Sequence, residues 1–99
     1  MALKSEKLKS IAGSYAGSVS TIVSQSVFYC QTIDDFIRNF NTEIEMVSRK
    51  STAICSMSYK VEKVNDITAI VWKMAADGGK KCHFYKITSD GKEVNPFNF

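Results

Sequence analysis

Cys82 and His83 stand side by side, and a thiol next to an imidazole is the pairing that nucleophilic catalysis draws on. Their adjacency argues against that use. Neighbouring residues on a strand point to opposite faces, so the two side chains cannot share a hydrogen bond there. His83 is the chain's single histidine, which leaves no second imidazole to serve as base or ligand. Cys30, Cys55 and Cys82 are odd in number and widely separated, whereas a disulfide framework favours an even count and a zinc site favours paired Cys or Cys/His clusters. Free thiols in a reducing cytoplasm follow, with no metal and no cofactor expected. Asp34 with Asp35, and Glu43 with Glu45, supply carboxylate pairs. Acid–base chemistry needs two carboxyl groups facing each other across a cleft with separated pKa values. On one amphipathic helix they instead form a solvated face and satisfy the helix dipole. Gly78-Gly79-Lys80-Lys81 has the residue types of a phosphate loop but not the longer glycine-bracketed loop that ends in Lys-Ser/Thr before a helix. It reads as a hairpin turn carrying two lysines. No catalytic residue is assigned, and the chain is expected not to be an enzyme.

Residues suited to binding are more numerous. From Ser10 to Ile33 the chain carries no charge, although 23% of all residues are charged. Within that run Ala12, Ala16, Ser20 and Ser24 step by four, as do Gly13, Gly17 and Thr21. Small side chains at this spacing let another backbone approach closely. Each glycine also lowers intrinsic helicity by around 1 kcal/mol relative to alanine, so such a helix must be held by packing. Self-association through Gly13, Ala16, Gly17, Ser20 and Ser24 is one outcome, and packing against the second helix or the sheet is the other.

Nucleic acid is the alternative partner. Lys73, Lys80, Lys81 and Lys86 lie on the predicted strands or their turn, with His83, Phe84 and Tyr85 interleaved. Lysines neutralise phosphates, and exposed aromatic rings stack on unpaired bases. Against this, Phe84 faces the core if the sheet is one-sided, and the glycine–aromatic signature of RNA-recognition motifs is absent. The net charge of +3 is mild, with six basic and five acidic residues in the first fifty positions and seven and five in the rest. A solvated lysine edge that discourages sheet-to-sheet aggregation accounts for the same residues. Near the end of the chain, Asn95-Pro96-Phe97 resembles the tripeptide ligands of EH domains in eukaryotic endocytic proteins, which implies a trafficking partner. The alternative reading tucks Phe97 and Phe99 into the core as a tail that closes the sheet edge, and the two rings also suit a protein interface. A small-molecule pocket lined by Trp72, Tyr59 and Met57 between helices and sheet is a further reading, and the same three side chains also suit a core.

The elements that must position these residues follow from periodicity. Leu8, Ile11, Tyr15, Val19, Ile22, Val23 and Val27 recur at steps of three and four, which predicts a helix across the uncharged run. A strand over Gly17 to Cys30 competes, because Val, Thr and Ile favour strands. Thr32 is the expected N-cap of a second helix, followed by Asp34 and Asp35 in its first turn. Ile33, Phe36, Ile37, Phe40, Ile44 and Val47 form its apolar stripe, and Arg49 and Lys50 close it. After Ser51 the period becomes two. Ala53 to Glu62, Ile67 to Ala76 and Lys81 to Thr88 read as strands, with Ile70, Trp72 and Met74 sharing a face and a short fourth strand at Glu93-Val94.

Ninety-nine residues, 44% of them apolar, make one domain with one core. The expected fold is α+β: a two-helix segment over about 4–49 packed on an antiparallel three- to four-stranded β-meander over about 52–94, then an aromatic tail over 95–99. Lys4, Lys7 and Lys9 precede the uncharged run as they would in a signal peptide, but its serines and glycines interrupt the continuous apolar block that a signal core or membrane span needs. The sequence thus predicts a non-enzymatic, self-associating interaction module that adapts or inhibits another protein, in the manner of an immunity protein or a viral or phage accessory factor.

Overall fold

The second helix shows how the chain folds locally. In the computed structural model, which describes residues 3–10, 16–50, 59–75 and 78–89, α2 spans Ile33–Lys50. Thr32 caps it: its Oγ1 accepts the Asp35 N–H at 3.1 Å, while the Thr32 carbonyl accepts the Phe36 N–H at 3.0 Å. Asp34 and Asp35 occupy the first turn, and Asp35 pairs with Arg38 one turn along. Ile33, Phe36, Phe40 and Ile44 are buried, with the Phe36 and Phe40 rings stacked at 6.0 Å. Helix α1 spans Ala16–Tyr29, so the helical reading of this stretch holds over the strand reading. Its buried stripe is Val19, Ile22, Val23, Ser26 and Val27, the i, i+3, i+4 pattern of a helix with one covered face.

Among the described residues four antiparallel strands form the second layer: β1 Leu3–Lys7, β2 Lys60–Asn65, β3 Thr68–Met74 and β4 Lys81–Ser89, in the order β1-β4-β3-β2. The fold is therefore α+β, with a β2-β3-β4 meander as expected. The strand beside β4 is a departure. Leu3–Lys7 pairs with Ser89–Tyr85, where the sequence predicted helix from about residue 4. Leu8, assigned to the helical stripe, lies beyond β1 and is exposed. Leu3 alone anchors β1 in the core at 2% exposure, and the free edge of β4 supplies hydrogen bonds that local propensity does not register. Ile11 and Tyr15 lie outside the described residues, as do the predicted strand before Tyr59, the Glu93-Val94 strand and the aromatic tail.

In chain order the two helices lie between β1, at one sheet edge, and β2, at the other. Both edge strands carry charges, Lys4, Glu6 and Lys7 on β1 and Lys60, Glu62 and Lys63 on β2, which resists edge-to-edge pairing. The core lies between the helices and the inner sheet face, where Leu3, Ala69, Val71, Phe84, Tyr85 and Ile87 meet the two helical stripes.

One irregularity shapes that face. Val71 pairs with Tyr85, but Trp72 pairs with His83, so Phe84 is an extra residue in β4. A bulge of this kind shifts the alternation of the strand by one. As a result Phe84 and Tyr85, although adjacent, are both buried at 6% exposure. Phe84 packs on Tyr59, ring centroids 6.0 Å apart. A second register shift at Val64 precedes the β2–β3 turn, where Asn65 Oδ1 accepts the Ile67 N–H at 2.9 Å. Lys63 ties that turn to α2, with its ammonium 3.0 Å from Asp34 and 3.4 Å from Asp66. The hydrogen bond that this amine donates to Asp34 holds it above its usual pKa, with Asp66 acting in the same direction.

Candidate functional site

The small residues of α1 that sequence grouped together separate in the structure, and Ser26, outside that group, joins the inward side. Ser26 is fully buried and its Oγ accepts a hydrogen bond from Asn39 Nδ2 of α2 at 2.8 Å. Ser20 is half-buried and shares a 2.7 Å hydrogen bond with the Tyr85 hydroxyl on the sheet. These contacts satisfy polar groups inside the fold, where an unpaired one would cost about 1–3 kcal/mol. Ser24 is exposed, and so is Gly17. A Cβ at Gly17 would meet nothing within 4 Å, so this glycine serves no close approach within the chain. Ala16 begins the helix, while Gly13, Phe97 and Phe99 lie outside the described residues.

Gly17, Thr21, Ser24, Gln25 and Phe28 therefore form an outer stripe of α1 that is exposed and uncharged. Gly17, Thr21 and Gln25 also border a shallow groove of about 480 Å³ whose far wall is Glu43 and Val47 of α2. At the C-terminal end of the stripe Phe28 is 64% exposed and Tyr29 74%, their rings edge to face at 5.1 Å. Sequence reasoning missed this pair. The signal was present, since Phe28 follows Gly17, Thr21 and Ser24 at helical spacing on the side away from Val19 and Val23.

The outer face of the sheet carries the other candidate residues. Opposed residues of antiparallel strands share a side, so Lys86 sits between Glu6 and Ile70, and Trp72 sits between His83 and Lys60. The Lys81 ammonium lies 4.5 Å from the centre of the Trp72 ring and 3.0 Å from Glu62, crossing β3 to reach β2. Trp72 is thus on the outer face, which corrects its expected place between helices and sheet, while Met57 lies outside the described residues and Tyr59 is core. The Trp72 Nε1 atom is buried and has no hydrogen-bond partner among the described residues.

The lysine–aromatic set proposed for nucleic acid divides between two sides. Tyr85, expected on the binding face, is buried because the bulge at Phe84 turns it inward. Lys73 opposes half-buried Cys82 and places its ammonium 5.2 Å from the Tyr59 ring centre, on the core side of the sheet. Lys80, Lys81, His83 and Lys86 are exposed. The large aromatic ring on the outer face, among the described residues, is Trp72, beside His83, and Lys81 covers it.

Cys82 packs toward the core while His83 is exposed, as strand geometry requires of neighbours. Cys30 and Cys82 are free thiols, and Cys55 lies outside the described residues. Burial, and then the Asp35 carboxylate, push the Cys30 thiol above its usual pKa, with Arg38 opposing. Among the described residues no cluster of three His, Cys, Asp or Glu is placed to hold a metal ion, and no helix is long and apolar enough to cross a membrane. Comparison with protein-family models, curated proteins and solved structures finds no match.

Proposed function

We propose that the chain is a small non-enzymatic interaction module that associates with itself and binds another protein through the outer face of α1, as a cytoplasmic adaptor or inhibitor. The observation that carries this reading is the exposed pair Phe28 and Tyr29 at the end of a helix face without charge. Aromatic rings are enriched in protein interfaces because they bury a large area at little entropic cost, and charged residues are depleted from interface centres. An uncharged stripe also lets two copies meet without like-charge repulsion, as an isologous contact requires. Gly17 keeps the stripe flat where a partner backbone would lie.

Sedimentation equilibrium over a range of concentrations tests the proposal. The wild-type chain is expected to populate a species heavier than its 11.1 kDa monomer. The double substitution Phe28→Ser/Tyr29→Ser should return it to the monomer with its circular dichroism unchanged. Gly17→Leu should weaken assembly as well, since the added side chain meets open space in the monomer and only a partner would clash with it. Identical mass distributions for all three proteins would overturn the reading.

A further inference from the structure

Where the β3–β4 connection meets the segment that follows β1, the chain forms an open concavity of about 710 Å³. Lys9, Lys80, Lys81 and His83 line it, together with uncharged residues that include Leu8 and Cys82. No carboxylate appears among the described lining residues. We propose that this concavity binds a compact phosphate-rich anion.

Backbone geometry, not chance proximity of long side chains, brings the cations together. The bulge leaves the Phe84 carbonyl free to accept the Leu8 N–H at 2.7 Å and the Lys9 N–H at 3.4 Å, which fastens the segment after β1 beside His83. Across the concavity the connection is closed by the Ala75 N–H on the Lys80 carbonyl and the Gly78 N–H on the Ala75 carbonyl, both 2.7 Å. Gly78 has φ of +73°, a conformation that a residue with a side chain rarely adopts. Two separate stretches of chain, residues 8–9 and 79–83, thus bring Lys9 to Lys80 and Lys81 before any ligand arrives.

Electrostatics then favours an anion. Lys81 is already shared between Glu62 and the Trp72 ring. Lys9 and Lys80 have no ion pair among the described residues, and both line the one concavity. Converging like charges repel, and a ligand with several negative charges relieves that repulsion while taking up ammonium donors. The shape points to a compact ligand over a long polyanion. Away from the concavity the outer sheet face alternates in sign, with Lys86 opposite Glu6 and Lys60 on the same strand as Glu62. Nor is the ring of Trp72 open for a base to stack on, since Lys81 occupies its face. The proposal is independent of the α1 interface, because it uses a different layer of the molecule.

Titration with inorganic tripolyphosphate at constant ionic strength provides the test, read from backbone amide shifts and from the emission of Trp72, the chain's single tryptophan. Saturable shifts confined to Leu8, Lys9 and Gly79 to His83 are expected, with a change in indole emission as the anion draws on Lys81. The double substitution Lys9→Ala/Lys80→Ala should weaken binding by roughly tenfold or more, given the strength of charge-assisted contacts. Both lysines are exposed, so the fold should survive, and the single variant Lys80→Gln gives an intermediate loss if the double variant does not fold. A single-stranded oligonucleotide is the second arm. Tighter binding of the oligonucleotide, with shifts spreading to Lys60 and Lys86, would overturn the compact-anion proposal in favour of a nucleic-acid track. Shifts that never saturate and touch all surface lysines alike would overturn it in favour of a diffuse ion atmosphere.

Discussion

Helix α2 turns Asp34, Arg38, Asn41 and Glu45 toward solvent, while α1 turns out Gly17, Thr21, Ser24, Gln25 and Phe28. Both helices bury a continuous stripe against the same sheet. The inward side of α2 is large and aromatic, and that of α1 is built from valines, an isoleucine and a buried serine. Charges on the solvent side of α2 keep that surface hydrated and support the helix through the Asp35–Arg38 pair, beside the neutral Thr32 cap. Helix α1 has neither acidic residues in its first turn nor basic residues in its last, so its stability rests on what it packs against. Two helices can therefore serve one core and still present different outer chemistry, and it is the outer chemistry that separates a structural face from a binding face.

The largest expected effect tests whether α2 is the heavier contributor to the core. Phe36→Ala, at a fully buried ring, should cost about 3–5 kcal/mol in urea denaturation, and Val23→Ala on α1 about 1.5–3. A greater loss at Val23 would break the comparison. Ser26→Ala leaves the Asn39 amide without its acceptor and should cost roughly 1 kcal/mol. A double-mutant cycle with Asn39→Ala should return a coupling of at least about 0.5 kcal/mol if the two helices are joined by that bond. Smaller still, Gly17→Ala should raise stability by about 0.5–1 kcal/mol, because the methyl group meets no neighbour and the helix loses a poor former. A destabilised variant would mean that Gly17 packs against something within the monomer.

The weakest effect concerns pH at the junction of the two helices. Burial and Asp35 raise the Cys30 thiol pKa, so the folded state holds this proton more tightly than the unfolded chain does. The contribution is complete below the ordinary thiol range and is lost as pH rises through the raised folded value. Tyr59, raised by burial, acts in the same sense at higher pH. Alkylation of Cys30 by iodoacetamide should therefore begin at higher pH in the folded protein than in urea. Equal pH profiles in the two states would show that α1 and α2 do not shield the thiol.

Much of the helical layer was legible beforehand. The α2 stripe, the Thr32 cap and the acidic first turn are local features of a dozen or so consecutive residues, and the structure has each of them. For α1 the alternation of Val and Ser suited a strand as well, and the three-and-four spacing of Val19, Ile22, Val23 and Val27 decided it. Around the candidate sites less was readable. Tyr85 looked outward-facing because alternation assumes an unbroken ladder, and one extra residue at Phe84 reverses it. The small residues of α1 looked like one surface, yet Ser20 bonds to buried Tyr85 while Gly17 and Ser24 face out.

The amino-acid sequence by itself determined the helical stripes, the β2-β3-β4 meander with its short turns, and the absence of charge on α1, since periodicity, capping and turn chemistry act between near neighbours in the chain. Tertiary structure alone decided that Leu3–Lys7 joins β4, that Tyr85 turns inward to meet Ser20, and that Lys9 arrives beside Lys80 and His83. Those outcomes depend on which strand edge is left unpaired and which buried polar group needs a partner, quantities that exist only once distant segments have come together.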